Sequence, residues 1–128
     1  MADPELLRSL VILERDELYL KWLIHLVSAL NSVKLVGSAS ASVAGVALVR
    51  DLQPNLVLCD VNLLDKMLYE SFRDGARNSS FRPRVLIMGT DPEIGPFVAK
   101  MALPFILKPQ ITVSILRDWC GAEPLNGF

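Results

Sequence analysis

The sequence predicts an α/β domain built on a doubly wound, five-stranded parallel sheet with helices on both faces, and three observations predict it. Five short apolar, β-branched runs recur along the chain. Stretches with helical spacing separate them, and each run is apolar at successive positions, as a strand covered on two sides must be. Right-handed crossovers then give the doubly wound arrangement, which gathers chemistry at the carboxyl ends of its strands. A chain of 128 residues, 52% hydrophobic and 21% charged, suits one domain with one core.

The strand-like runs are residues 10–13, 33–36, 56–59, 85–88 and 105–107. Between the first two, Glu17, Lys21, His25 and Ser28 recur every three or four positions, which predicts a helix over 17–28 with one solvated stripe. His25 belongs to that stripe as a surface histidine. Residues 41–52, "ASVAGVALVRDL", predict a small-residue helix able to lie close to the sheet, stopped by Pro54. Residues 66–77 predict a more polar helix ending near Gly75 and Asn78, and residues 111–120 a last helix ending at Gly121. The stretch 91–103 holds Pro92, Gly95 and Pro96 and is followed by Pro104, so its helix is expected to be short.

A net charge of −1 gives no general affinity for nucleic acid or an acidic membrane. Cys59 and Cys120 offer neither a disulfide framework nor metal spacing, and Cys59 reads as a buried thiol of a cytosolic protein. "MADPELLRSL" lacks the basic start and apolar core of a signal peptide, and "LYLKWLIHLVSAL", broken by Lys21 and His25, is too short to span a bilayer. A cytoplasmic location is the expectation. Trp22 and Trp119 read as packing residues.

Four of the five strand ends carry polar groups: Glu14-Arg15-Asp16, Asp60, Gly89-Thr90-Asp91 and Lys108-Pro109. Two carboxylates, a hydroxyl and an amine on neighbouring tips suit a phosphate and metal site. A carboxylate can attack a phosphoryl group to form an acyl phosphate. A divalent ion and a lysine can stabilise charge on the equatorial oxygens.

These residues resemble the receiver domain of two-component response regulators, over residues 9 to about 120. The most similar stretch is "LVGSASASVAGVALVRDLQPNLVLCDVNL", which looks like the second strand, second helix and third strand of receivers. The resemblance implies the flavodoxin-like strand order 2-1-3-4-5 and one receiver-like domain over 1–128, with a core of about 9–120 and 121–128 as a tail or linker start. It implies Asp60 as phospho-acceptor, with Lys108 contacting the phosphate. Thr90, or Gly89 on a one-residue shift, falls at the switch hydroxyl, and Phe105 at the aromatic whose rotamer reports activation. Glu14, Asp60 and the backbone carbonyl of Asn62 are the implied ligands of Mg²⁺.

Three departures bear on activity. Receivers place two adjacent acidic residues after the first strand, and this chain has Glu14-Arg15, an atypical site in which weakened or absent Mg²⁺ binding is expected. A unit charge pair at about 4 Å and an effective dielectric near 20 is worth about 4 kcal/mol before desolvation, so an arginine that close to Asp60 would hold it ionised and repel the ion. The family's proline and glycine after the acceptor are replaced by Leu64 and Leu68, which reshapes the loop. The segment between Thr90 and Lys108 is short, so the fourth helix is expected to be shortened.

The resulting expectation is a receiver module phosphorylated on Asp60 by a histidine kinase or phosphotransfer protein to switch an output domain or a homodimer, without direct nucleic-acid or membrane contact. The alternative is a pseudo-receiver that binds partners independently of phosphorylation. Enzymatic turnover of an external substrate is not expected. Haloacid-dehalogenase-type phosphatases also use a strand-end aspartate, but they need a second aspartate where this chain has Asn62, and no P-loop is present.

Overall fold

The apolar runs become β1 (Arg8–Leu13), β2 (Val33–Ala39), β3 (Leu56–Asp60), β4 (Arg84–Gly89) and β5 (Phe105–Leu107). The computed structural model describes residues 7–74 and 82–121. The strands form one sheet in the order β2-β1-β3-β4-β5 with every neighbouring pair parallel. Both the doubly wound class and the strand order are therefore as expected.

Alternation along each strand sorts the core into two layers. Leu10, Ile12, Leu56, Leu58, Leu86 and Met88 face one side, where Leu23 and Val27 of α1 (Glu17–Val27) and Leu116 and Cys120 of α5 (Val113–Gly121) cover them. Val11, Leu13, Val57, Cys59, Val85 and Ile87 face the other. There they meet Val49 of α2 (Ser42–Leu52), Leu68 and Phe72 of α3 (Lys66–Asp74) and Val98 of α4 (Gly95–Lys100). Gly45 lets α2 lie close to β1, since a Cβ there would stand 3.0 Å from a methyl of Leu13.

Two expectations need correction. The runs are not all buried on both faces: the three central strands are, but the edge strand β2 exposes Lys34 and Ser38, and β5 is only half-buried. A strand at the edge of the sheet is less fully covered by the packed helices, so its polar side chains reach water. The last helix starts at Val113 rather than 111, because Lys108–Gln110 form a 3-10 turn and the Thr112 hydroxyl accepts from the Ile115 amide as a cap.

The other helices keep close to their expected bounds. Asp16 caps α1 by accepting from the Leu18 and Tyr19 amides, and His25 is exposed on it. The fourth helix is short, six residues, after a 3-10 turn capped by Asp91. Ala102, at φ 59, turns the chain from α4 back into β5. The expected end of the third helix near Gly75 and Asn78, and the tail past Gly121, lie outside the described residues. Among the described residues, no helix is long and apolar enough to cross a membrane.

Candidate functional site

The alternation that sorts the core also sorts the strand tips. Glu14 and Asp60 continue the parity of Ile12 and Leu58, Thr90 that of Met88, and Lys108 that of Ile106, so all four belong to the α1/α5 side. Gly89 and Phe105 take the opposite parity and belong with α4. The predicted site residues thus form two groups, divided by the plane of the sheet.

In the first group, three charged side chains meet below the surface. Glu14 is 0% and Asp60 1% exposed, the buried charged residues among those described. Lys108 Nζ lies 2.8 Å from Glu14 Oε1 and 3.7 Å from Asp60 Oδ2, and donates to Glu14 Oε2 at 3.1 Å. The Asp16 amide also donates to Glu14 Oε2. Asp60 Oδ1 accepts from both the backbone and side-chain nitrogens of Asn62, so Asp60 also caps the 3-10 turn Val61–Leu63.

Two buried carboxyls beside one ammonium cannot both ionise at equal cost. Burial, and then the adjacent Asp60 carboxyl, push Glu14 above the usual carboxylate range, with Lys108 only partly offsetting them. Burial also opposes the charge of Asp60. The adjacent Glu14, the amides of Asn62 and Arg15 and the charge of Lys108 outweigh it and hold Asp60 below its ordinary value. The two carboxyls are thus pushed apart, Glu14 upward and Asp60 downward.

Arg15 points into solvent and makes no ion pair among the described residues; it serves Asp60 through its backbone amide. Asp16 is committed to the cap of α1. Donors for a divalent ion are thus Glu14, Asp60 and the Asn62 carbonyl, and no group of three His, Cys, Asp or Glu converges among the described residues. Glu14 Oε1, buried and without an aligned hydrogen bond, fits such an ion as a ligand. Two carboxylates suffice for Mg²⁺ when water and phosphate oxygens complete the shell. The ion would compete with the Lys108 ammonium for the same oxygens.

Thr90 is exposed and makes no hydrogen bond among the described residues. With Lys108, Asp16, Tyr19, Trp22 and Ile111 it lines a cleft of about 410 Å³. Trp22, expected as a packing residue, is 42% exposed in its wall. Tyr19 was not singled out from the sequence, yet it joins the cleft to the triad. Its hydroxyl donates to the Lys108 carbonyl at 3.2 Å, and the ammonium lies 4.7 Å from its ring centre. Burial, then the nearby Glu14, push its phenol up to about 12. The signal for it was Tyr19 and Trp22 spaced three apart, just after a helix cap.

In the second group, Gly89 ends β4 with its Cα in register with Leu107. A Cβ on Gly89 would stand 2.9 and 3.1 Å from the Phe105 ring and 3.1 Å from Val61. The ring occupies that space, so Gly89 is required by close approach. After Asp60, Leu68 turns wholly into the core and Asp65 Oδ1 accepts from its amide.

No protein-family model matches the chain, and no curated protein matches its sequence. Solved structures do. The signal receiver domain of the response regulator NarL from Mycobacterium tuberculosis superposes with a TM-score of 0.71 at 20% identity, over 91% of this chain and 98% of that one. The response regulator domain of Thermotoga maritima CheB gives 0.72 at 17%, over 92% and 99%. RcsB from Salmonella enterica serovar Typhimurium, bound to promoter rprA with phosphomimetic BeF3-, gives 0.70 at 13%, over 86% and 94%. The chain has the fold of the response-regulator receiver domains.

Proposed function

We propose that this domain is a signal receiver in which Asp60 accepts a phosphoryl group from a histidine kinase or phosphotransfer protein, changing how the domain engages an output domain or a second copy. The observation that carries the reading is the buried triad, in which Lys108 Nζ lies 2.8 Å from Glu14 Oε1 and 3.7 Å from Asp60 Oδ2. Asp60 Oδ2 would attack phosphorus as the N–P bond of a phosphohistidine breaks and the imidazole nitrogen leaves with the electron pair. Lys108 would move from the carboxylates onto a phosphoryl oxygen. Mg²⁺, held by Glu14, Asp60 and the Asn62 carbonyl, would neutralise phosphoryl charge when bound. A cytoplasmic setting follows from that donor, and no turnover of an external substrate is part of the reading.

The second reading, a pseudo-receiver that binds partners whatever the state of Asp60, is favoured by Arg15 in the acidic cluster and by the absence of a side chain at Gly89. Intact-protein mass after incubation with acetyl phosphate and Mg²⁺ separates the two. One added phosphoryl group, lost in Asp60→Asn, is expected. An unchanged mass at saturating donor leaves the second reading.

A further inference from the structure

Whatever phosphorylates Asp60, a change in its charge must reach a surface through groups that touch it. Asn62, itself exposed, touches Asp60 directly, and two longer routes lead from the strand tips to neighbouring elements. One runs through Lys108, whose ammonium lies 3.7 Å from Asp60 and 4.7 Å from the centre of the Tyr19 ring. The Tyr19 hydroxyl also holds the Lys108 carbonyl, and its ring sits 5.2 Å from that of Trp22 at an interplanar angle of 36°. Cation, phenol and indole are thus in contact in series and end on the wall of the cleft, where Trp22 is 42% exposed. The other route would run along β4 to Phe105 and α4. On that side the strand tip is Gly89, which has no side chain to carry a contact, and the Phe105 ring is packed into the vacant volume. Thr90, the hydroxyl next in sequence, lines the cleft instead.

We propose that the charge of Asp60 is relayed through Lys108 to the Tyr19–Trp22 wall of the cleft, and that the Gly89–Phe105 corner is insulated from it. The responsive surface of this module is then the cleft between α1 and the turn after β5, while the α4–β5 side keeps one arrangement set by packing. The relay depends on the contacts of the triad and not on phosphotransfer, so it stands or falls separately from the function proposed above.

Fluorine NMR on the full chain tests both halves. The chain carries two tryptophans and five phenylalanines, so fluorotryptophan and fluorophenylalanine give few signals, identified with Trp22→Phe and Phe105→Leu. Asp60→Asn, which removes the charge and keeps the shape, should shift the Trp22 resonance and leave that of Phe105 in place. Gly89→Ala should do the reverse, since its methyl must push the ring aside. Should Gly89→Ala fail to fold, Phe105→Leu takes its place and should leave the Trp22 resonance where it was. A Phe105 resonance that moves in Asp60→Asn, or a Trp22 resonance that does not, overturns the relay. Movement of Trp22 in either corner variant overturns the insulation.

Discussion

The α1/α5 side and the α4 side of the strand tips are neighbours across one sheet, yet they are held by different physics. On the first side, the Lys108 ammonium and several amides hold two buried carboxyls. On the second, an aromatic ring fills the room beside a glycine, and the chain reaches β5 through an alanine in the left-handed region. One half responds to charge and pH; the other responds to volume and backbone shape. A substitution therefore has to be weighed by the half on which it falls.

Lys108→Met should have the largest effect, because it leaves the two carboxyls buried without a counter-charge. Breaking a buried ion pair by removing one partner costs about 3–5 kcal/mol, measurable by urea denaturation. A loss no larger than that of an exposed lysine would remove the distinction between the halves.

Glu14→Gln should sharpen it by changing pH dependence. A carboxyl raised on folding stabilises fully below its unfolded pKa, and that stability is lost as pH rises through the folded value. Wild-type Tm should therefore fall as pH climbs from the ordinary glutamate range through the raised titration of Glu14. Glu14→Gln should lack that decline. Asp60 acts in the opposite sense: its contribution is present above the ordinary aspartate value and fades as pH drops through the lowered one. Persistence of the high-pH decline in Glu14→Gln would place its source elsewhere.

The smallest change falls on the packed half. Ala102 sits at φ 59, where a Cβ costs about 1 kcal/mol. Ala102→Gly should recover up to about that amount, less the added freedom of the unfolded chain. The gain should be equal at pH 5 and pH 8, unlike any change in the triad.

The sheet was legible because five β-branched runs and their helical spacers repeat a pattern that has few physical solutions. Glu14, Asp60 and Lys108 were legible as strand-tip residues, since the sheet itself brings tips together. The assignment between Thr90 and Gly89 was not, because a one-residue shift on a strand moves a side chain to the opposite face. Only the parity with Met88 and the contact with Phe105 place them. Tyr19 escaped notice because its link to the site runs through the carbonyl of Lys108, 89 residues away, and a backbone partner leaves no trace in residue type. For Arg15 the sequence leaves two courses open, a charge partner of Asp60 or a side chain in solvent, and the structure takes the second.

In the buried pair, Asp60 is held below and Glu14 above their ordinary carboxylate ranges. Carbon-13 NMR of the two side-chain carboxyls, followed through a pH titration of the wild-type chain without added metal, measures that directly. Asp60 should titrate below the ordinary aspartate range and Glu14 above the ordinary glutamate range. Titration in the reverse order, or of both groups at ordinary values, would contradict it.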